Sequence, residues 1–179
     1  MAALTPQTIE SAPQGSKLTL QAIQKRDGFI PNLIATFASS PALLKGYVGL
    51  DIAWEESSFS AQERQLICLT ASVVNRCRYS IAAHATALKG LKVDPECIQA
   101  VRNRDPLGDG RLDALVALTR ELVAERGFVA PKTLERFVAA GFNEVALMEV
   151  LIGVALKVMS DYLDNLTPLA IDAAFRGAD

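Results

Sequence analysis

Apolar residues recur along most of this chain at spacings of three and four, the period of an α-helix with one buried face. The stretch after Pro41 shows the pattern with Leu43, Leu44, Tyr47, Leu50 and Trp54. Alternating apolar and polar runs bounded by turn residues, which would indicate strands, are missing from the sequence. The pattern predicts an all-α chain of roughly eight helices joined by short connections.

Residues that start and stop helices occur between the apolar runs. Ser60 and Glu63 have the spacing of a capping box, in which each side chain bonds the other residue's backbone N–H. Other predicted helix starts are Pro41, Asp94 with Pro95, and Asn143. Predicted helix ends are Gly28, Gly90, Gly127 and Gly141, and Gly90 fits a left-handed C-terminal cap.

The length and composition predict one folded domain. The chain has 179 residues, of which 50% are hydrophobic and 21% charged, which excludes a disordered chain and allows a sizeable core. Residues 1–15 are predicted to be a loose N-terminal segment and residues 16–179 a single domain. So much apolar surface also predicts packing against further copies of the chain.

Charge and hydropathy exclude several classes of partner. The net charge is -2, and Lys and Arg do not cluster, so neither nucleic acid nor an anionic membrane is an expected partner. The most apolar run, residues 145–159, contains Glu149 and Lys157 and is too short to span a bilayer. Glu149 is expected to pair with Arg136 or Lys157. The N-terminus has no secretory signal pattern, so a cytoplasmic location is expected.

The cysteine and histidine counts limit the possible chemistry. Three cysteines, Cys68, Cys77 and Cys97, do not form a disulfide framework, and a single histidine excludes a Cys/His zinc pattern. We therefore expect reduced thiols, no metal and no cofactor.

The stretch "CRYSIAAH" could carry chemistry. Cys77, Ser80 and His84 are spaced by three and four residues and therefore share one stripe of a helix. A thiol at the start of a helix is favoured as a thiolate by the helix dipole, and a nearby imidazole can exchange a proton. Thiol redox or nucleophilic chemistry fits this stripe. A purely structural role also fits this stripe, with a buried thiol, a capping serine and a packed histidine.

The segment "QLICLTASVVNRCRYSIAAHATALKG" resembles the alkylhydroperoxidase AhpD and carboxymuconolactone decarboxylase-like family. The matching positions are Ile67, Leu69, Ser72, Asn75, Cys77, Tyr79, His84 and Gly90. The segments "GFIPNLIATFASSPALLKGYVGL" and "TLERFVAAGFNEVALMEVLIGVALKVMSDYLDNLTPLAID" resemble the family's usual beginning and end. The resemblance covers about residues 28–172.

This resemblance implies an all-helical AhpD-like bundle that assembles as a homo-oligomer, a trimer or a hexamer. In the peroxidase branch the second cysteine of a C-x-x-C pair attacks a hydroperoxide and the first cysteine resolves it. A glutamate upstream and the histidine downstream relay protons. The decarboxylase branch uses the same scaffold without the cysteine pair.

The chain departs from the family pattern at two positions. Cys77 matches the first cysteine and His84 the histidine, but Ser80 replaces the second cysteine and Gln65 the glutamate. Glu63 is close by, and we expect it to serve the capping box rather than a proton relay. Because a hydroxyl cannot form a disulfide, the two-cysteine cycle cannot run in this motif.

Three hypotheses remain open from the sequence. In the first, Cys77 reduces hydroperoxides with Ser80 and His84 as partners, and an external thiol, Cys68 or Cys97 resolves the product. In the second, His84 is the acid or base of a decarboxylase-like enzyme acting on a small organic acid or lactone. In the third, the chain is a non-catalytic oligomeric member of the family.

Polar residues near the end of the last predicted helix are a further open point. Asp161, Tyr162 and Asp164 could line a pocket, but we expect them to form a solvated helix end.

Overall fold

The computed structural model describes residues 4–177 and shows, over that range, only helices and connecting segments. Its helices are α1 (Gln14–Asp27), α2 (Asn32–Phe37), α3 (Pro41–Glu55), α4 (Ala61–Asn75), α5 (Arg78–Gly90), α6 (Pro95–Asn103), α7 (Gly110–Ala124), α8 (Pro131–Ala139) and α9 (Glu144–Leu166). A 3₁₀ turn follows at Ala173–Phe175. The all-α prediction is confirmed, with nine α-helices in the described range against roughly eight expected.

The predicted N-terminal segment, residues 1–15, is described only from residue 4 onward. In that part the Gln7 backbone N–H donates to the Ala35 carbonyl at 2.9 Å, and Ala12 is buried in the core. Residues 1–3 lie outside the described residues.

Most of the predicted helix boundaries are confirmed. Ser60 and Glu63 form the reciprocal capping box, and the side chains of Asp94 and Asn143 accept backbone N–H groups at the starts of α6 and α9. The left-handed cap expected at Gly90 was wrong. Gly90 is the last residue of α5, and Lys92 takes the positive φ of 61° instead.

The chain turns at Lys92 because the end of α5 is closed two residues beyond Gly90. The Lys92 N–H bonds the Lys89 carbonyl, and the Val93 N–H bonds the Leu88 carbonyl, which satisfies carbonyls left open at the helix end.

Helix α4 is the centre of the fold, because it packs against α5, α6, α7 and α9. Its Leu66, Ile67 and Leu69 side chains are fully buried. Residues of α3, α4, α7, α8 and α9 together with Phe59 and Phe142 form one core cluster, in which the Phe137 and Phe142 rings stack at 4.4 Å between centroids. A second cluster joins α1, α2 and α3 to the start of α5. These two clusters fix α3, α4, α5 and α9 around one another.

Helix α9 carries the apolar run noted in the sequence. Within residues 4–177 no single helix is long and apolar enough to cross a membrane. Helices α8 and α9 meet that criterion only as a pair, by length and composition, and they are bent by 115°.

Helices α3 and α9 approach closely at Gly153. A Cβ added at Gly153 would lie 2.9 Å from the Trp54 ring and 3.1 Å from the Ile67 side chain. The Trp54 side chain is itself only 3% exposed and is held against Phe59. The glycine therefore allows the indole to sit between α4 and α9.

We expect Gly153→Ala to destabilise the protein by roughly 1–3 kcal/mol, because the added methyl group forces the buried indole to move. The free energy of unfolding, measured by urea denaturation, checks this value. The matched control is Gly49→Ala in α3, where an added Cβ meets nothing within 4 Å. Because Gly49→Ala removes a glycine from a helix, it should stabilise the protein by up to about 1 kcal/mol. A Gly153→Ala variant as stable as the control would contradict the packing argument.

Candidate functional site

Three stripes of polar side chains meet between α4, α5 and α9. Each stripe has the three- and four-residue spacing of one helix face, and each interrupts a mostly apolar surface. The α4 stripe is Gln65, Cys68, Ser72 and Asn75; the α5 stripe is Cys77, Ser80 and His84; and the α9 stripe is Lys157, Asp161 and Asp164.

Lys157 lies at the centre of this cluster and is only 3% exposed. Its Nζ lies 2.9 Å from Ser80 Oγ, 3.0 Å from His84 Nε2 and 3.2 Å from Asp161 Oδ1. These three contacts use the three N–H groups of an ammonium. Burial acts to lower the pKa of Lys157, but the Asp161 carboxylate outweighs it, so the pKa lies above its usual value. Lys157 is therefore charged at neutral pH.

His84 is neutral in this arrangement. Its Nδ1 lies 2.7 Å from Gln65 Oε1, and an amide oxygen only accepts, so Nδ1 carries the proton. Nε2 then accepts from the Lys157 ammonium. Burial, together with the charge of Lys157, holds the pKa of His84 well below its usual value. The imidazole is thus a base that is already paired with a proton donor.

Asp161 balances the charge of Lys157. The carboxylate is fully buried and accepts from Asn75 Nδ2 at 3.0 Å and from Ser72 Oγ at 3.4 Å, in addition to Lys157. A buried ion pair of this kind is maintained only when further hydrogen bonds satisfy its remaining atoms.

Cys77 is the N-cap of α5, and its side chain is fully buried. Its sulfur accepts from the Ser80 backbone N–H at 3.4 Å, and its S–H donates to Asp164 Oδ2 at 3.3 Å. Burial, with a further contribution from the charge of Asp161, raises the pKa of Cys77 to about 12. The sequence led us to expect that the helix start would favour a thiolate. Burial outweighs that effect, and Cys77 is a thiol at neutral pH.

A cavity of about 50 Å³ adjoins the cluster. Its wall residues are Tyr47, Asp51, Trp54, Glu55, Gln65, Cys68, His84, Leu156 and Lys157. Of the three cysteines, Cys68 lines this cavity, whereas Cys77 lies outside its wall. Burial raises the pKa of Cys68 to about 12, and the charge of Lys157 acts in the opposite direction.

The structure brings together four of the five residues singled out in the sequence. Gln65, Ser80 and His84 connect through Lys157, and Cys77 adjoins Ser80. The fifth, Glu63, lies elsewhere.

Glu63 has a structural role, as expected. Its carboxylate accepts from the Ser60 backbone N–H at 2.9 Å and pairs with Arg111 at 3.1 Å. The carboxylate thus bonds Ser60 and Arg111 and not the cluster around Lys157. Cys97 is likewise separate, since it lines a surface groove beside α6.

Two further expectations were wrong. Asp161 and Asp164 are buried in the cluster rather than part of a solvated helix end, and of that group only Tyr162 is exposed. Glu149 pairs with neither Arg136 nor Lys157, because its carboxylate accepts from the backbone N–H of Ser58 at 2.9 Å.

The central role of Lys157 was not predicted from the sequence. The available signal was a lysine inside the most apolar helix, four residues before an aspartate, since a buried charge needs a partner. Within residues 4–177, no group of three His, Cys, Asp or Glu side chains is arranged to hold a metal ion.

Residues 41–121 match the model of the carboxymuconolactone decarboxylase family, a range that includes α3, α4 and α5 and the motif at Cys77. The expected resemblance to the AhpD/carboxymuconolactone decarboxylase-like family is confirmed over this range. No curated protein matches the sequence.

Solved structures with the same fold extend over nearly the whole chain. An AhpD-core, peroxidase-related protein from Ralstonia eutropha JMP134 has a TM-score of 0.85 at 18% identity, covering 98% of this chain and 96% of that chain. A peroxidase-related protein from Silicibacter sp. TM1040 has a TM-score of 0.82 at 20% identity, covering 93% and 89%.

A third similar structure is the debrominase Bmp8, solved as a cysteine-to-alanine variant in complex with 2,3,4-tribromopyrrole. Its TM-score is 0.82 at 16% identity, covering 99% of this chain and 96% of that chain. At these identities the likeness shows a shared fold.

Breaking the buried ion pair should destabilise this protein strongly. We expect Lys157→Met to cost about 3–5 kcal/mol, because it leaves the Asp161 carboxylate buried without its cation. Urea denaturation of the single variants Lys157→Met and Asp161→Asn and of the double variant measures the coupling. The double variant should lose less than the sum of the two single losses. Additive losses would show that the two side chains do not stabilise each other.

Proposed function

We propose that the protein reduces small uncharged hydroperoxides with a cysteine thiol, and that an external thiol restores the enzyme. The observation that supports this function is the cavity in whose wall a thiol, a neutral imidazole and an ammonium lie side by side. Attack by sulfur on the O–O bond needs a base for the thiol proton and an acid for the leaving oxygen. His84 and Lys157, joined at 3.0 Å, are a base and an acid of this kind.

The reaction balances without a metal or an organic cofactor. The thiol and the hydroperoxide give a cysteine sulfenic acid and an alcohol. One external thiol then forms a mixed disulfide with the cysteine and releases water. A second external thiol restores the cysteine and leaves as the external disulfide.

The charges around the cavity favour an uncharged substrate. Asp51 and Glu55 contribute carboxyl groups to the wall, and Glu55 pairs with Arg64 at 3.0 Å. Lys157 is the one cationic residue among the wall residues, and its N–H groups are already bonded within the protein. The wall therefore offers no unpaired cation to a carboxylate, which counts against a small organic acid as the substrate.

The volume of the cavity favours a small substrate. At roughly 15 Å³ for each water position, 50 Å³ accommodates about three such positions. A hydrogen peroxide molecule, or the O–O group of a small alkyl hydroperoxide, is of that size. The family's peroxidase-related members are compatible with this proposal, and the debrominase shows that the same fold accepts a small uncharged ring compound in another protein.

The activity is tested by following the consumption of hydrogen peroxide and tert-butyl hydroperoxide in the presence of dithiothreitol. We expect turnover by the wild-type chain and background rates from a variant in which all three cysteines are alanine. His84→Gln should lower kcat by about 100-fold or more if the imidazole is the proton acceptor.

A charged hydroperoxide tests the role of the cavity wall. A hydroperoxide bearing a carboxylate should react more slowly than tert-butyl hydroperoxide, and Asp51→Asn should reduce that difference. Glu56→Gln, a nearby acidic residue that does not line the cavity, is the matched control. If the variant without cysteines consumes hydroperoxide as fast as the wild type, thiol chemistry is excluded.

We further propose that α9 assembles the chain into a homo-oligomer. One face of α9 is exposed and apolar over most of its length, formed by Met148, Leu151, Val158, Tyr162 and Leu166. The charged residues of α9 in this range do not belong to the exposed face. Glu149 bonds Ser58, and the remaining three, Lys157, Asp161 and Asp164, are buried. An uncharged face fits a second copy of itself better than a charged partner.

Light scattering coupled to size-exclusion chromatography tests this assembly. The wild type should have a mass that is a multiple of 19.2 kDa. Leu151→Glu should shift the mass towards that of one chain, because a charge is placed in the apolar contact. Leu18→Glu, at a 78% exposed position of α1, should leave the mass unchanged. An unaffected Leu151→Glu variant would exclude this face as the contact.

A further inference from the structure

Cys68 lies in a different place from the cysteine of the family motif. It belongs to α4, where it follows Gln65 by three residues and precedes Ser72 by four, so the three side chains share one face. Gln65 bonds His84, and Ser72 bonds Asp161, which places Cys68 between two parts of the buried network. The Cys68 thiol lines the 50 Å³ cavity, as do Gln65, His84 and Lys157.

The indole of Trp54 supplies an independent sign of a ligand site. Its side chain is 3% exposed and lines the same cavity, yet its N–H has no hydrogen-bond partner among the described residues. Buried indole N–H groups usually find a partner, because an unpaired buried donor is costly. The Trp54 indole is close enough to Cys68 to lower the pKa of that thiol. The indole Nε1 and the Cys68 sulfur nevertheless do not form a hydrogen bond of ordinary geometry. A donor thus remains available in the cavity beside the sulfur.

We propose that Cys68, rather than Cys77, is the thiol that attacks the hydroperoxide, and that the Trp54 N–H binds a peroxide oxygen in the cavity. This inference rests on the proposed hydroperoxide reduction. It assigns to the reaction a thiol outside the family motif. It also gives the unpaired indole donor a partner in the substrate complex.

The chemical step uses groups that already adjoin the cavity. The Cys68 sulfur bonds to the terminal oxygen of the hydroperoxide while the O–O bond breaks. Lys157 gives the proton that it shares with His84 Nε2 to the leaving alkoxide, and the freed Nε2 takes the thiol proton. His84 then returns its proton to Lys157 across their 3.0 Å contact. The products are the sulfenic acid of Cys68 and an alcohol, and both proton carriers recover their initial states.

Cys77 has contacts that suit a structural thiol. Its sulfur caps α5 through the Ser80 N–H, and its S–H donates to Asp164, whose other oxygen holds the Leu169 N–H at 2.8 Å. Cys77 therefore connects the start of α5 to the segment after α9. It lies outside the cavity wall, so a hydroperoxide in the cavity meets Cys68 first.

The oxidised cysteine can be mapped directly in the wild-type chain. The protein is treated with tert-butyl hydroperoxide and dimedone, which traps sulfenic acids, and the tryptic peptides are identified by mass spectrometry. Cleavage after Arg64 and Arg76 gives a peptide, residues 65–76, whose one cysteine is Cys68. Cys77 lies in the dipeptide that follows, so it is read in the product of missed cleavage at Arg78, residues 77–89. We expect the dimedone adduct on the peptide that carries Cys68.

Single variants give the corresponding rates. Cys68→Ala should lose about 100-fold or more of the hydroperoxide consumption, because a lost nucleophile is not replaced by binding alone. Cys68→Ser, which nearly keeps the side-chain volume, should lose as much of the rate. It replaces the alanine variant in this test if the alanine variant does not fold. Cys77→Ala should keep most of the rate, and Cys97→Ala is the control away from the site. Trp54→Phe should raise KM for the hydroperoxide more than it lowers kcat.

The outcomes separate this inference from the proposed function. A dimedone adduct on Cys77 alone, or a Cys68→Ser variant with the wild-type rate, overturns the assignment of Cys68 while thiol-dependent reduction stands. A wild-type chain that neither consumes hydroperoxide nor forms any adduct overturns both.

Discussion

The buried pair of Lys157 and Asp161 is the interaction on which the arrangement of this protein depends. An ammonium that is 3% exposed is stable only if its charge is balanced and its N–H groups are bonded. On α5, Ser80 and His84 accept from the Lys157 ammonium. On α4, Ser72 and Asn75 donate to the Asp161 carboxylate. One ion pair on α9 thereby fixes the orientation of α4 and α5 at the site.

The same pair explains why Gln65 and Ser80 suit this chain. A carboxylate at position 65 would favour a protonated His84, and that cation would lie 3.0 Å from the Lys157 ammonium. The neutral Gln65 amide instead accepts the Nδ1 proton and leaves Nε2 free to accept from Lys157. Ser80 Oγ completes the set as an uncharged acceptor. The two departures from the family motif thus form one consistent network around a buried cation.

The sequence predicted local structure well and the site only in part. The capping box at Ser60 and the shared stripe of Cys77, Ser80 and His84 depend on residues a few positions apart, so the pattern contained them. The Gly90 cap failed because the helix end is set by bonds from residues 92 and 93. The roles of Lys157 and Asp161 were missed because their hydrogen-bond partners other than each other lie more than 70 residues away in the chain, and only the fold brings them together.

The two buried thiols, Cys77 and Cys68, differ in the groups that surround them. Cys77 uses its sulfur to accept the Ser80 N–H, which is the backbone donor that a thiolate at a helix start would need, and its proton is held by Asp164. Cys68 lies in the middle of α4, where no helix terminus stabilises it, yet it adjoins the cavity, the indole N–H of Trp54 and the charge of Lys157. Both thiols have a pKa of about 12, so neither is a thiolate at neutral pH. In the proposed reaction, reactivity then depends on access to the cavity and on a nearby proton acceptor, and Cys68 lines the cavity together with His84.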